Sequence, residues 1–197
     1  MSSFVHAYFP QRPKPPGMPN FPVKYALHLN EMPQPIPEEV RREIAHRVET
    51  IPFHKYPEPF GQSLIEPMAR WYQCDPRQIM VAPGSSAFIR LLLAYFGLNR
   101  KGKILIARPS FTYYEQYCQA FRIPFEPWEL DENFDYVPSA LDSLPEFSVV
   151  FLTTPNNPTG NTIPLDVMRQ LLTQHRNSLF VVDEAYAEFV GQTMLPL

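Results

Sequence analysis

From residue 62 onward the chain alternates two hydrophobic patterns. Runs with apolar residues three or four apart predict helices with one buried face: SLIEPMARWYQ (63–73), SSAFIRLLLAYFG (85–97), YYEQYCQAF (113–121) and PLDVMRQLLTQH (164–175). Between them stand short, nearly continuous apolar runs: IMVA (79–82), KILIA (103–107), SVVFLTT (148–154) and LFVV (179–182). Such runs predict strands covered on both faces. Pro67 must sit in the first turn of its helix or bend it, and Gly97 reads as a C-terminal cap. Helices alternating with buried strands predict an α/β fold, a mostly parallel sheet with flanking helices.

The front of the chain reads differently. Of 24 prolines, 12 precede residue 61, so the proline excess is local. Each proline lacks a donor N–H and biases the preceding residue away from helix, which predicts an extended Pro-rich N-terminal arm over residues 1–37. PEEVRREIAHRVET (37–50) predicts one helix, with acidic residues in the first turn where the helix dipole favours them. HKYPEPFG (54–61) is a turn-rich hinge. The expected organisation is therefore an arm and helix over 1–58, followed by an α/β domain over 59–197.

Composition narrows the function. With 45% hydrophobic residues in 197, the chain can bury a core and is not a disordered segment. A net charge of −3 argues against nucleic acid and anionic membranes as partners. The longest apolar stretch, Phe88 to Gly97, contains Arg90 and is shorter than the ~20 residues that span a bilayer. Cys74 and Cys118 form neither a CxxC nor a zinc spacing, so neither a disulfide scaffold nor a metal site is expected. No secretory signal is visible at the N-terminus, and a soluble, cytoplasmic chain is the expectation.

The chemistry gathers after the apolar runs. In an open parallel sheet, ligands bind beyond the carboxyl ends of the strands. After IMVA comes Gly84-Ser85-Ser86 at a helix start, where free N–H groups and hydroxyls suit a phosphate; the same residues also make an ordinary serine cap. After KILIA comes Phe111, able to stack on a flat ring or to serve as a core aromatic. After SVVFLTT comes PNNPTG (155–160), a rigid loop whose amides point in defined directions, although such a string also simply forms turns. After LFVV comes Asp183, a carboxylate at the end of an apolar strand that needs a partner such as a cationic ring nitrogen, or else an acidic helix cap. Tyr186 follows three residues later, within reach of the same ligand.

Together these residues match a known pattern. PNNPTG followed by DEAY (183–186) resembles the fold-type I, class I/II aminotransferases that use pyridoxal 5'-phosphate. LHLNEMP (27–33), KYPEPFGQSL (55–64) and DEAYAEF (183–189) are similar to blocks of the histidinol-phosphate aminotransferase branch, in the same order. The resemblance implies that residues 59–197 are part of the cofactor-binding large domain, in an enzyme passing an amino group to 2-oxoglutarate. It implies that Asp183 pairs with the pyridine nitrogen and that Asn157 and Tyr186 bond the ring's phenolate oxygen. Phe111 would stack on the ring, and Ser85 and Ser86 would hold the phosphate. Tyr56 would reach the cofactor of a partner subunit, which implies a homodimer. A threonine-phosphate decarboxylase shares the fold and most motifs, and a non-catalytic truncated paralogue is the third reading.

Two departures carry consequences. Ser85-Ser86-Ala87 stands where the branch has an acidic pair after its small residue. The family's Schiff-base lysine falls beyond Leu197, and Lys14, Lys24, Lys55, Lys101 and Lys103 match no such motif. Without that base the 197 residues are expected to be inactive alone.

Overall fold

The computed structural model describes residues 30–98, 102–142, 148–195 and 197. The chain divides into two compact units, Met1–Leu64 and Ile65–Leu197. The expected arm lies largely outside the described residues.

In the first unit, helix α1 (Glu38–Thr50) carries Glu38 and Glu39 in its first turn and Arg47 in its last, as the helix dipole favours. Glu38 pairs with Arg41 and Arg42, and Glu43 with Arg47 at 2.6 Å. A single 3-10 turn, Pro59–Gly61, leads into α2 (Gln62–Tyr72), within which the division into units falls. Pro67 is held inside α2, beyond its first turn.

The second unit is built on four parallel strands: β1 (Lys103–Arg108), β2 (Glu126–Glu129), β3 (Ser148–Thr153) and β4 (Leu179–Asp183), in the order β2-β1-β3-β4. Register is fixed by pairs such as Ile104 with Val149, Ala107 with Trp128, and Phe151 with Val181. Helices α3 (Ser85–Leu98), α4 (Tyr113–Phe121) and α5 (Leu165–Gln174) complete it. Alternation along the central strands divides their side chains between two cores. Ile104, Ile106, Val149 and Phe151 pack with Ile89 and Leu93 of α3 and with Tyr114 and Cys118 of α4. Leu105, Ala107, Val150 and Leu152 face the other way, onto Trp128, Tyr136, Leu141 and the α5 residues Met168 and Leu171. Every residue of β3 is buried, which is why SVVFLT reads as an unbroken apolar run.

The connections explain the layering. The chain moves from β1 to β2 in one direction and from β3 to β4 in the other. Right-handed crossovers then require α4 and α5 on opposite faces, as observed.

Three local expectations are corrected. Ile79–Ala82 forms no strand, although its composition suits one; it pairs with no neighbour among the described residues, and an unpaired strand has no ladder to hold it. Gly97 does not cap α3, which runs on to Leu98. A Cβ at Gly97 would lie 2.4 Å from Ile123 Cγ2, so glycine there lets the helix approach the chain that follows α4. LFVV, expected to be covered on both faces, is half-buried throughout because β4 stands at one edge of the described sheet; β2, EPWE, at the other edge, buries only Trp128 and so showed no apolar run.

Tyr136 closes the frame at the carboxyl end of β3. Its hydroxyl donates to the Thr153 carbonyl at 2.5 Å and accepts from the Thr153 N–H at 3.1 Å. Burial pushes this phenol up to about 12 from the ordinary 10. A raised phenol favours the folded state below pH 10, and that contribution is lost as pH rises through 12. Tyr136→Phe is expected to cost about 1–3 kcal/mol, because it leaves both Thr153 groups unpaired, and to flatten the alkaline fall in stability; urea unfolding at several pH values measures both. Gly97→Ala is expected to destabilise by about 1–2 kcal/mol despite alanine's better helix propensity, in the same assay.

Candidate functional site

The switch in the direction of the sheet's connections lies where β1 and β3 end. Paired strands whose following segments leave in opposite directions open a crevice at their carboxyl ends. Into it run Pro109-Ser110-Phe111-Thr112 from β1 and the PNNPTG loop from β3, with Asp183 closing β4 alongside. The peptide bonds before Pro109, Pro155 and Pro158 are cis.

Thr153 continues the Val149 and Phe151 face and brings its hydroxyl to Tyr114 Oη at 2.9 Å and Ser110 Oγ at 3.2 Å. Tyr114 Oη donates to Asp183 Oδ2 at 2.8 Å, while Asp183 Oδ1 accepts the Ala185 N–H at 3.1 Å. Ser110 donates to Asn156 Oδ1 at 2.8 Å. Asn156 Nδ2 in turn donates to the Pro109 carbonyl and to Thr159 Oγ1, both at 2.9 Å. One bonded network therefore crosses the ends of β1, β3 and β4. Tyr114 is 1% exposed and Thr153 2%, so these bonds are shielded from water. Burial, then the Asp183 charge, holds the Tyr114 phenol far above its ordinary value, so it remains a donor. Burial likewise pushes the Cys118 thiol up to about 12, which removes it as a nucleophile.

The expected ligand residues fall around this network. Asp183 is half-buried at the end of β4, joined to Tyr114. Phe111 stacks on Tyr113 with centroids 4.8 Å apart and meets Tyr114 edge-on at 5.8 Å. Asn157 is half-buried and makes no side-chain hydrogen bond among the described residues. Tyr186 is half-buried beside Phe189, with ring centroids 6.4 Å apart.

Ser85 and Ser86 begin α3 directly after Gly84, whose φ of +77° makes the turn that only glycine takes easily. The other end of α3 is at the opposite edge of the sheet, since Gly97 lies against Ile123, just after α4. A 14-residue helix is about 21 Å long, so its N-terminus returns to the side of the strand carboxyl ends. The two serine hydroxyls make no hydrogen bond among the described residues. Tyr56 belongs to the first unit and is fully exposed.

Sequence reasoning missed Tyr114, Thr153, Ser110 and Asn156. The usable signal for Tyr114 was its position, four residues before Cys118 on the buried face of α4, where a phenol must find a partner. For the asparagines the sequence offered none: Asn156 ties the loop down and Asn157 is left over, yet they are adjacent and identical.

The sequence model of aminotransferase class I and II matches residues 23–196. The chain is 33% identical over 180 residues to a histidinol-phosphate aminotransferase of Caldanaerobacter subterraneus subsp. tengcongensis, covering 90% of this chain and 51% of that protein. It is 35% identical over 178 residues to one from Hydrogenobaculum sp., covering 88% and 49%. Among solved structures, a putative histidinol-phosphate aminotransferase from Erwinia carotovora atroseptica superposes with a TM-score of 0.68 at 24% identity, over 78% of this chain and 47% of that one. L-threonine-O-3-phosphate decarboxylase from Porphyromonas gingivalis gives 0.64 at 28% identity, over 77% and 43%. The chain spans about half the length of the curated relatives it matches. A family match over most of its length, on a parallel sheet with the polar residues gathered at the strand ends, places this chain in the class I and II aminotransferase family.

Proposed function

We propose that this chain carries the cofactor-binding part of a pyridoxal-phosphate-dependent aminotransferase site, acting on histidinol phosphate with 2-oxoglutarate as amino acceptor. The observation that supports it is Asp183: a carboxylate at the end of β4, held by Tyr114 and sharing one network with the PNNPTG loop. Among the described residues its oxygens each accept one bond, from Tyr114 and from Ala185, and keep lone pairs that fit a protonated ring nitrogen. The Asn157 amide, which makes no side-chain hydrogen bond among the described residues, and the hydroxyl of Tyr186 suit a phenolate oxygen. The start of α3, with the N–H groups and hydroxyls of Ser85 and Ser86, suits the phosphate. Phe111 offers a ring face for stacking. Bound there, pyridoxal phosphate supplies an electron sink for charge developing on an amino-acid α-carbon. This chain's residues orient the ring, hold a proton near its nitrogen and fix the phosphate.

The full exposure of Tyr56 supports its reaching the phosphate of a partner subunit in a homodimer. None of the five lysines lies in a motif that matches the family's, so this chain alone is expected not to turn over substrate. A cytoplasmic location fits the absence, among the described residues, of any helix long and apolar enough to cross a membrane. The 28% likeness to the threonine-phosphate decarboxylase supports a second reading, decarboxylation of an amino-acid phosphate. Assaying protein from its native source with histidinol phosphate plus 2-oxoglutarate, and separately with threonine phosphate, decides between them.

The purified chain is expected to bind pyridoxal phosphate, and Asp183→Ala to weaken binding about tenfold through loss of a charged hydrogen bond, measured by absorbance titration. Unchanged affinity removes Asp183 from the ring-nitrogen role. Borohydride reduction of the mixture is expected to leave no lysine uniquely and stoichiometrically modified, as read by peptide mass mapping; one such lysine overturns the expected inactivity.

A further inference from the structure

The network at the strand ends has a proton count that can be worked out. The Pro109 carbonyl only accepts, so Asn156 must turn Nδ2 toward it and Oδ1 toward Ser110. Ser110 therefore spends its one hydroxyl proton on Asn156. Four contacts then run in series: Asn156–Ser110, Ser110–Thr153, Thr153–Tyr114 and Tyr114–Asp183, at 2.8, 3.2, 2.9 and 2.8 Å. Three hydroxyls supply three protons. With Asp183 ionised, Tyr114 donates to the carboxylate and Thr153 has one proton for two neighbours. One contact goes without, and Ser110–Thr153, the longest of the four, is the one that lacks it. With a proton on Asp183 Oδ2, four protons serve four contacts, all pointing from Asp183 toward Asn156.

We infer that Ser110, Thr153 and Tyr114 form a polarity-reversible hydroxyl relay that lets Asp183 take up and release a proton. On uptake, the incoming proton bonds to Oδ2 and donates to Tyr114; Tyr114 rotates its proton to Thr153, and Thr153 rotates its own to Ser110. No O–H bond in the relay breaks. Release reverses the rotations. Tyr136 fixes Thr153 by both backbone groups, so the hydroxyl between the two neighbours cannot drift from either. These three hydroxyls are positioning residues. The relay itself does not depend on a cofactor; its use, setting where a proton sits between Asp183 and a ring nitrogen, rests on the function proposed above.

The titratable groups near Asp183 are Tyr114 on α4, Tyr136 beyond it, Tyr186, and Glu184 next in the chain. Glu184 is itself engaged by Thr193 Oγ1 at 2.8 Å and the Met194 N–H at 2.6 Å. The relay predicts opposite effects from neighbouring substitutions. Tyr114→Phe removes the donor to the carboxylate, and charged hydrogen bonds outweigh neutral ones, so the protonated form gains. Thr153→Val leaves Tyr114 only Asp183 to donate to, so the ionised form gains although Thr153 does not touch Asp183.

The test uses the cofactor-free 197-residue chain with 13C-labelled aspartate, reading carboxylic-acid and carboxylate infrared bands. The Asp183 band is identified by its loss in Asp183→Asn. At the pH that half-protonates Asp183 in the unsubstituted chain, Tyr114→Phe is expected to raise the ratio of protonated to ionised Asp183 about five- to tenfold. Thr153→Val is expected to lower it about threefold, and Thr153→Ser to restore it. Ser110→Ala, outside the sheet, should act with the sign of Thr153→Val and serves if that variant does not fold. Shifts of one sign in Tyr114→Phe and the Thr153→Val or Ser110→Ala partner, or no shift in the latter, overturn the relay. Failure of pyridoxal phosphate to bind the same chain bears on the proposed function alone.

Discussion

Two paired parallel strands that part company at their carboxyl ends set up the rest of the second unit. β1 and β3 run side by side from Lys103–Ser148 to Ile106–Phe151, after which β1 pairs on only toward β2 and β3 toward β4. The polar residues of the network line the opening, and Tyr136 takes over the Thr153 backbone groups that lie beyond the β1–β3 ladder. The apolar composition of SVVFLT buries β3 on both faces, and its pairing with β1 on one side and β4 on the other sets the register. A register fixed in this way delivers Thr153 and Asp183 to opposed positions, side by side at the end of their strands.

Much of this was legible in the residues, for reasons that differ between elements. β1 and β3 announced themselves because strands covered on both faces are apolar throughout, and β4 because LFVV is equally apolar although it is only half-buried at an edge of the described sheet. α4 was legible to the residue, since Tyr113–Phe121 buries only Tyr114 and Cys118, four apart. β2 was not, because an edge strand with one buried tryptophan can carry two glutamates and a proline. Ile79–Ala82 misled in the opposite sense: hydrophobicity makes a strand possible, and pairing makes it real. Gly97 belongs to the same lesson, since its reason is the nearness of Ile123, a contact no local pattern contains.

At the site, the sequence pointed to chemistry at the surface of the network and was silent about its interior. Asp183 was legible as an acid ending an apolar run. The hydroxyls that govern it were not, because Tyr114 and Thr153 look like ordinary members of a buried face, and their meaning lies in a meeting across 39 residues. The division of labour between Asn156 and Asn157 likewise follows from where the Pro109 carbonyl lies. Family membership and the fold agree with the motif reading, and the proposed role of each ligand residue builds on that agreement.

The proposed seat for pyridoxal phosphate lies at the strand ends of this chain and is centred on Asp183. A crystal structure of the chain with pyridoxal phosphate tests it most directly. The ring nitrogen is expected within hydrogen-bond distance of an Asp183 oxygen, about 2.7–3.2 Å, and the phosphate at the Ser85 and Ser86 N–H groups. Cofactor density elsewhere, or a ring with its nitrogen turned away from Asp183, would contradict it.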